Sequence, residues 1–158
     1  LENTSDSYDA IILDLVDPLE GGTAALLYTQ EFYAIAKARL NPGGVLVTQS
    51  GPAGLLSFKE CFTTIFNTLS TLFSYTKAAQ VHIPAFQTLW GFTIVSDAPF
   101  LQMSEDEVDA ELARRLSKPL KYYDGESHRS MFALTKFQRE GLTSEDRVNR
   151  DADPVFMV

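Results

Sequence analysis

Cysteine is nearly missing from this sequence: its 158 residues contain one, Cys61. A single thiol closes no intrachain disulfide and builds no metal cluster, so no metal site is expected. Within the apolar run "ECFTTIFNTL", Cys61 reads as a small core residue rather than a nucleophile. The scarcity fits a reducing, cytoplasmic compartment. Long apolar runs are missing too. None approaches the roughly 20 residues that span a bilayer, and no basic-then-apolar leader is legible, so no membrane partner is expected. Positive charge is the third scarcity: 13 Lys and Arg stand against 21 Asp and Glu, a formal net charge of −8, and the basic residues do not cluster. Nucleic acid is thereby disfavoured, since phosphate binding needs a basic patch. The same balance suits a cationic ligand, because an acidic cleft concentrates positive charge. No internal repeat or low-complexity tract interrupts the chain. A hydrophobic content of 45% over this length is enough for one globular domain with a real core.

What the chain does contain is an alternation of strand and helix patterns. In "YDAIILDLVDPLEGG", from Tyr8 to Gly22, a short apolar run bounded by Pro18 and glycines predicts a strand buried on both faces of a parallel sheet. Carboxylates do not belong inside such a strand. Asp14 and Asp17 stand at its carboxyl end, where open α/β sheets place their ligands. "TQEFYAIAKARL" has helical spacing, with Glu31 near its start and Lys37 and Arg39 near its end to match the helix dipole, and "NPGG" stops it. "GVLVTQSG" predicts a second short buried strand, and "SFKECFTTIFNTLSTLF" a second helix with Ser57 placed to cap it. Strand, helix, strand, helix makes a parallel sheet. "SYTKAAQVHIP" and "WGFTIVSDA" are joined only by "AFQTL", too short for a helical crossover, which predicts an antiparallel pair at the sheet edge. "SEDEVDAELARRL" opens with Ser104 and has Glu107 at capping-box spacing, a strong helix signal. From Lys118 onward the sequence is polar and irregular, and "SMFALTKFQREGL" is the only further strand or helix expected.

Three strand ends therefore converge, and their residues resemble a known family. "DLVDP" followed by "LLYTQEFY", then "LNPGGVLVTQSGPAG", then "HIPAFQTLWGF" resembles the aminopropyltransferases of polyamine synthesis, the spermidine and thermospermine synthase family, in order and in spacing. The likeness thins after Leu120. "LDLVDPLEGG", "QSGPAG", "HIPAFQTLWG" and "KYYDGES" are closer in style to the thermospermine synthases, although agmatine-using and other triamine- or tetraamine-forming relatives share part of that style. The resemblance implies an α/β fold, the later part of a Rossmann-like doubly wound sheet of the S-adenosylmethionine methyltransferase type with an antiparallel edge pair. It also implies decarboxylated S-adenosylmethionine as co-substrate with no permanently bound cofactor, a polyamine acceptor, and a homodimer or homotetramer when intact.

The chemistry explains why such a family needs carboxylates here. An alkyl primary amine has a pKa near that of lysine, about 10.4, so at neutral pH it arrives protonated and is not a nucleophile. The resemblance implies Asp14 as the general base, taking the proton as the amine attacks the propyl carbon beside the sulfonium, with neutral methylthioadenosine as leaving group. A carboxylate is ordinarily a weak base for an amine, so desolvation and orientation have to assist. Asp17 is then placed to hold the charge of the polyamine and Gln49 to supply a neutral polar contact, while Pro18 and Tyr28 fall on the nucleoside side. Plainer alternatives stand beside these. Asp14 and Asp17 suit an Asx-type turn, Gln49 an ordinary strand-end hydrogen bond, and Tyr28 simple packing against the loop. Phe86 occupies the position of a family tyrosine whose hydroxyl helps to place the amine. Trp90 either sandwiches the methylene chain of a longer polyamine or is a buried structural tryptophan. His82 reads as a satisfied strand histidine, and His128, in a polar loop, carries no assignment.

In this family the nucleoside sits on a glycine-rich loop after an early strand. No "GGGDGG"-like stretch occurs here, and "GPAG" lacks the GxGxxG spacing. The chain, opening at Leu1, reads as the carboxyl-terminal portion of the enzyme and is expected to be inactive alone. Residues 1–118 would be the later part of the catalytic domain and residues 119–158 an extension packed on it. Spermidine to thermospermine is the leading reaction and putrescine to spermidine the next. Two other functions compete: an S-adenosylmethionine-dependent methyltransferase on the same sheet, which would not require "DxxDP" paired with "HIPxF", and a non-catalytic homologue or truncated product acting as a dimer partner.

Overall fold

The computed structural model describes residue 1 and residues 4–157. Strands β1 (Tyr8–Leu13), β2 (Leu40–Pro52), β3 (Tyr75–Ile83) and β4 (Thr88–Ser96) form one mixed sheet in the order β1-β2-β4-β3. β1 and β2 are parallel and joined through helix α1 (Gln30–Lys37); β2–β4 and β4–β3 are antiparallel. Helix α2 (Phe62–Ser70) connects β2 to β3, and α3 (Glu105–Arg115), α4 (Gly125–Phe132) and α5 (Lys136–Ser144) follow the sheet. The expected antiparallel pair is present, with β3 outermost and β4 inside.

Residues directly opposite one another in a ladder share a face. Leu46 lies between Ile11 and Val95, and Thr48 between Leu13 and Thr93. This row is buried under α1 and α2, which contribute Tyr33, Ala36, Ile65 and Leu69 to the core. The alternate row, Ile12 beside Val47 and Ile94, points to the other face, where Ile12 is 75% exposed. The expectation that β1 is buried on both faces is corrected: β1 is an outer strand of the described sheet with helices over one face, so its burial alternates. On the covered face a Cβ at Gly91 would lie 2.2 Å from Phe62 Cδ2, so a glycine in mid-strand is what lets α2 settle on β4.

Several boundaries differ from the sequence patterns. β2 begins before "NPGG" and runs through it, with Gly43 at φ +78°. α2 starts after Ser57, because the Gly54 carbonyl accepts from both Ser57 N (3.2 Å) and Phe58 N (2.9 Å) and the chain turns there, leaving Cys61 at the N-cap without a side-chain cap bond. α3 has the expected capping box: Ser104 Oγ accepts from Glu107 N (3.3 Å) and Glu107 Oε2 accepts from Ser104 N (2.7 Å). The tail is not irregular. Asp124 caps α4 by accepting from Ser127 N (2.8 Å), and Gln138 Oε1 closes a capping box on Thr135 N (2.8 Å) at the start of α5. α5 is tied to the sheet through buried Gln138, whose Nε2 donates to Ala53 O (2.8 Å) and Gln80 Oε1 (2.5 Å). No helix among the described residues is long and apolar enough to cross a membrane.

Candidate active site

β1 ends at Leu13, and the loop that follows folds on itself: Leu19 N donates to Asp17 O (2.9 Å) and Gly22 N to Leu19 O (3.0 Å). Gly21 takes φ +76°, a conformation a side chain would strain. A 3-10 turn over Thr23–Tyr28 then brings the chain back beneath the loop. Its last residue, Tyr28, is fully buried, and its hydroxyl lies 3.2 Å from Leu15 O and 3.1 Å from Val16 O as donor. The tail holds the same loop from another side, with Met157 N donating to Pro18 O (2.9 Å). Buried Asn149 donates through Nδ2 to Tyr28 O (3.1 Å), and its backbone carbonyl accepts from Gln30 N (2.8 Å). No sequence motif marks Asn149 or Met157, since both act on backbone groups.

Gln49, only 4% exposed, joins this loop to the rest of the sheet. Its Oε1 accepts from Gly51 N (2.9 Å) and Trp90 Nε1 (3.0 Å). Both groups are donors only, so the amide oxygen has to face them. Nε2 therefore faces the loop, donating to Leu15 O (3.2 Å), Asp17 Oδ1 (3.2 Å) and the Tyr28 hydroxyl oxygen. A break in register between Gln49 and Pro52, with Gly51 at φ +81°, gives the backbone the kink this geometry needs. Beyond the kink Pro52 stands opposite Trp90. Trp90 is buried, and the ring of Phe86 packs on it at a centroid distance of 4.5 Å. Phe86 itself is 51% exposed, held on the 3-10 turn Pro84–Phe86 between β3 and β4, with Gln87 at φ +54°.

Burial raises the Asp17 carboxyl above its ordinary value, and the hydrogen bond from Gln49 works in the opposite direction. Burial also pushes the Tyr28 hydroxyl up, against the bond from Gln49 and with the charges of Asp17, Cys61 and Asp14 adding to it. The Cys61 thiol is pushed up to about 12, first by burial and then by the charges of Glu60 and Asp17. It is a core residue and no nucleophile at neutral pH. Among the described residues no group of three or more His, Cys, Asp and Glu is placed to hold a metal.

Of the residues singled out in the sequence, Asp17, Tyr28, Gln49 and Trp90 form one hydrogen-bonded chain, with Phe86 packed on its far end. Asp14 is exposed at the strand end, and Pro18 is buried where the tail crosses the loop. Tyr28 has no exposed surface and packs beneath the loop. Both ends of the Gln49 amide are occupied by protein groups. His82 is exposed on β3 rather than satisfied within it, and His128 belongs to α4 rather than a loop, its Nδ1 2.6 Å from the Tyr123 hydroxyl.

Residues 1–105 match the family described as the spermine/spermidine synthase domain. Thermospermine synthase ACAULIS5 of Arabidopsis thaliana is 39% identical over 158 residues, covering 99% of this chain and 46% of that protein. A polyamine aminopropyltransferase of Saccharolobus islandicus (strain L.S.2.15 / Lassen #1) is 38% identical, covering 99% of this chain and 51% of that protein. Among solved structures, a spermidine synthase in complex with the transition state analogue AdoDATO matches with a TM-score of 0.73 and 26% identity over 89% of this chain and 46% of that one. Spermidine synthase from Thermotoga maritima matches with a TM-score of 0.69 and 24% identity, over 89% and 45%. The mixed sheet is thus part of a methyltransferase-like Rossmann fold, and the chain spans about half the length of the relatives it matches. The chain belongs to the spermine/spermidine synthase family.

Proposed function

We propose that the protein containing this chain transfers an aminopropyl group from decarboxylated S-adenosylmethionine to a polyamine, with spermidine the preferred acceptor and putrescine the next. These residues supply the base and the amine side of the site. One observation carries the proposal: a partly buried carboxylate, Asp17, is tied through Gln49 to the aromatic pair Trp90 and Phe86 at the end of the sheet where Asp14 stands exposed. Relatives named as thermospermine synthase, polyamine aminopropyltransferase and spermidine synthase support the reaction class.

A polyamine is a string of ammonium groups separated by methylenes. Asp17 holds one ammonium near the reaction centre, while half-exposed Phe86, backed by buried Trp90, offers an apolar surface to the methylenes and a π face to the next charge. Asp14 takes a proton from the reacting ammonium. The freed lone pair attacks the propyl carbon bonded to the sulfonium, a C–N bond forms as the C–S bond breaks, and the bonding pair stays on sulfur. Neutral methylthioadenosine leaves and the new secondary ammonium keeps one positive charge. Pro18, locked under the tail, stiffens the loop on the nucleoside side. In this reading residues 1–118 are the later part of the catalytic domain and 119–158 an extension packed on it, and the whole protein is a cytoplasmic homodimer or homotetramer.

The test is a competition in which the full-length protein receives putrescine, spermidine and decarboxylated S-adenosylmethionine, with products separated by chromatography. Spermidine should be favoured about tenfold in kcat/KM, a difference of about 1.4 kcal/mol. Asp14→Asn should lower turnover by at least about a hundredfold. If spermidine accumulates and no tetraamine forms, the acceptor assignment falls while aminopropyl transfer stands. Near-normal turnover of a folded Asp14→Asn variant removes Asp14 from the base role.

A further inference from the structure

We infer that Tyr28 and Gln49 are positioning residues, forming a clamp that sets the loop bearing Asp14 and Asp17 against the Trp90–Phe86 pair, and that neither touches amine or nucleoside. The inference rests on the aminopropyl-transfer reading for its kinetic consequences, but its structural content does not.

Leu15 and Val16 are the two residues between Asp14 and Asp17, and their carbonyls are the groups the clamp grips. The Tyr28 hydroxyl reaches Leu15 O and Val16 O at 3.2 and 3.1 Å, and Gln49 Nε2 reaches Leu15 O at 3.2 Å. A carbonyl held from below fixes the plane of its peptide. The peptides that follow Leu15 and Val16 lie between the two aspartates, so pinning both fixes the direction of each carboxylate relative to the other. Tyr28 has no exposed surface and Gln49 almost none, which leaves neither side chain a route to a ligand.

Gln49 extends the clamp to the acceptor side. Its oxygen has to face the two donors Gly51 N and Trp90 Nε1, so the amide cannot rotate without setting N–H against N–H. One side chain thereby holds the loop with one end and the indole with the other. Its N–H also opposes the effect of burial on Asp17 and favours the charged carboxylate.

Three variants of the full-length protein separate these roles, each checked for folding by circular dichroism. Tyr28→Phe removes one hydroxyl, and kcat should fall about tenfold while KM for spermidine changes less than twofold. Gln49→Glu keeps the oxygen that faces Trp90 and Gly51 but sets a carboxylate against Asp17, so kcat should fall and the acidic limb of its pH profile should move to higher pH. Gln49→Leu removes both ends. Its Trp90 indole N–H resonance, assigned by its loss in Trp90→Phe, should move towards that of an unbonded indole, whereas in Gln49→Glu it should stay hydrogen-bonded.

A KM for spermidine raised tenfold or more with kcat unchanged in Tyr28→Phe would make Tyr28 a contact residue and overturn the clamp. An indole resonance unmoved in Gln49→Leu would overturn it as well. Absence of transfer to any amine in the unmodified protein would instead remove the aminopropyl-transfer reading, and the two resonance tests would still decide whether the clamp exists.

Discussion

Burial acts on Asp17 and on Cys61 with different results. Both are shifted upward, yet Asp17 is only partly buried and keeps a donor from Gln49, whereas Cys61 is sealed in the core with its thiol up to about 12. One keeps a partner for its charge and the other has none, because a group taken out of water ionises readily only where a hydrogen bond or an opposite charge replaces the water. Phe86 shows a different kind of tuning. It is half exposed and packs only one face on Trp90, so a hydroxyl added at its ring edge costs no core packing. Phe86→Tyr should therefore leave the melting temperature nearly unchanged while improving use of the short diamine, narrowing the spermidine preference by about threefold in the competition assay. An unchanged product ratio would take Phe86 out of acceptor choice. At this scale the place of the two aspartates just past the end of β1 was legible in the sequence, because carboxylates interrupt an apolar run there. The partners of Tyr28 and Gln49 were not, because four of them, Leu15, Val16, Gly51 and Trp90, are bound through backbone groups or a distant indole that carry no local pattern.

Two elements announced by short-range signals, α3 and the β3–β4 pair, formed where the sequence placed them. α3 carries both halves of its capping box, and a connection too short for a helix forced β3 and β4 into an antiparallel pair. α4 and α5 were not legible as two helices because, unlike α1 and α2 of the same length, their stretches GESHRSMF and KFQREGLTS hold too few apolar residues to show a helical period. The residue that fastens the end of α5 to α2 is Glu145. Its carboxylate accepts from Thr63 Oγ1 (2.6 Å) and Thr64 Oγ1 (3.3 Å) and pairs with Arg147 at 2.7 Å, with only 6% of its side chain exposed. Burial alone would raise its pKa, but the bonds from Arg147 and Thr63 prevail and hold it at about 2 against an ordinary 4.5. A carboxyl depressed in the folded state stabilises the fold fully above its unfolded value, and the contribution disappears as pH falls from about 4.5 to about 2. Glu145→Gln should therefore cost roughly 2 kcal/mol at pH 7 by urea unfolding, with a smaller gap at pH 3. An undiminished gap at pH 3 would assign the loss to packing instead of charge.

Across the whole molecule the two faces of the sheet are unequal. α1 and α2 cover the row that contains Ile11, Leu13, Leu46 and Val95. On the opposite face, close to β3, Ala79 is buried and Lys77 holds its ammonium 4.1 Å above the Phe132 ring of α4, but this cover does not extend to β1. Ile12 and, just past the strand, Val16 are each three-quarters exposed, and β1 pairs with β2 alone among the described residues. A uniformly apolar strand run in the sequence says that the residues suit burial; it cannot say which of their faces this stretch of chain supplies with a cover. An apolar face beside an unpaired strand edge is a template for association. The 158-residue polypeptide, prepared by itself, should accordingly sediment as dimers or larger species at tens of micromolar rather than as a 17.6 kDa monomer. Placing lysines at the two exposed positions, Ile12→Lys with Val16→Lys, should shift the population towards monomer without loss of helix content, because neither side chain belongs to the buried core. Sedimentation velocity and circular dichroism on the pair of proteins decide the matter. If the double variant associates as strongly as the parent, the contact lies elsewhere on the surface, and the exposed row of β1 is not what drives copies of this chain together.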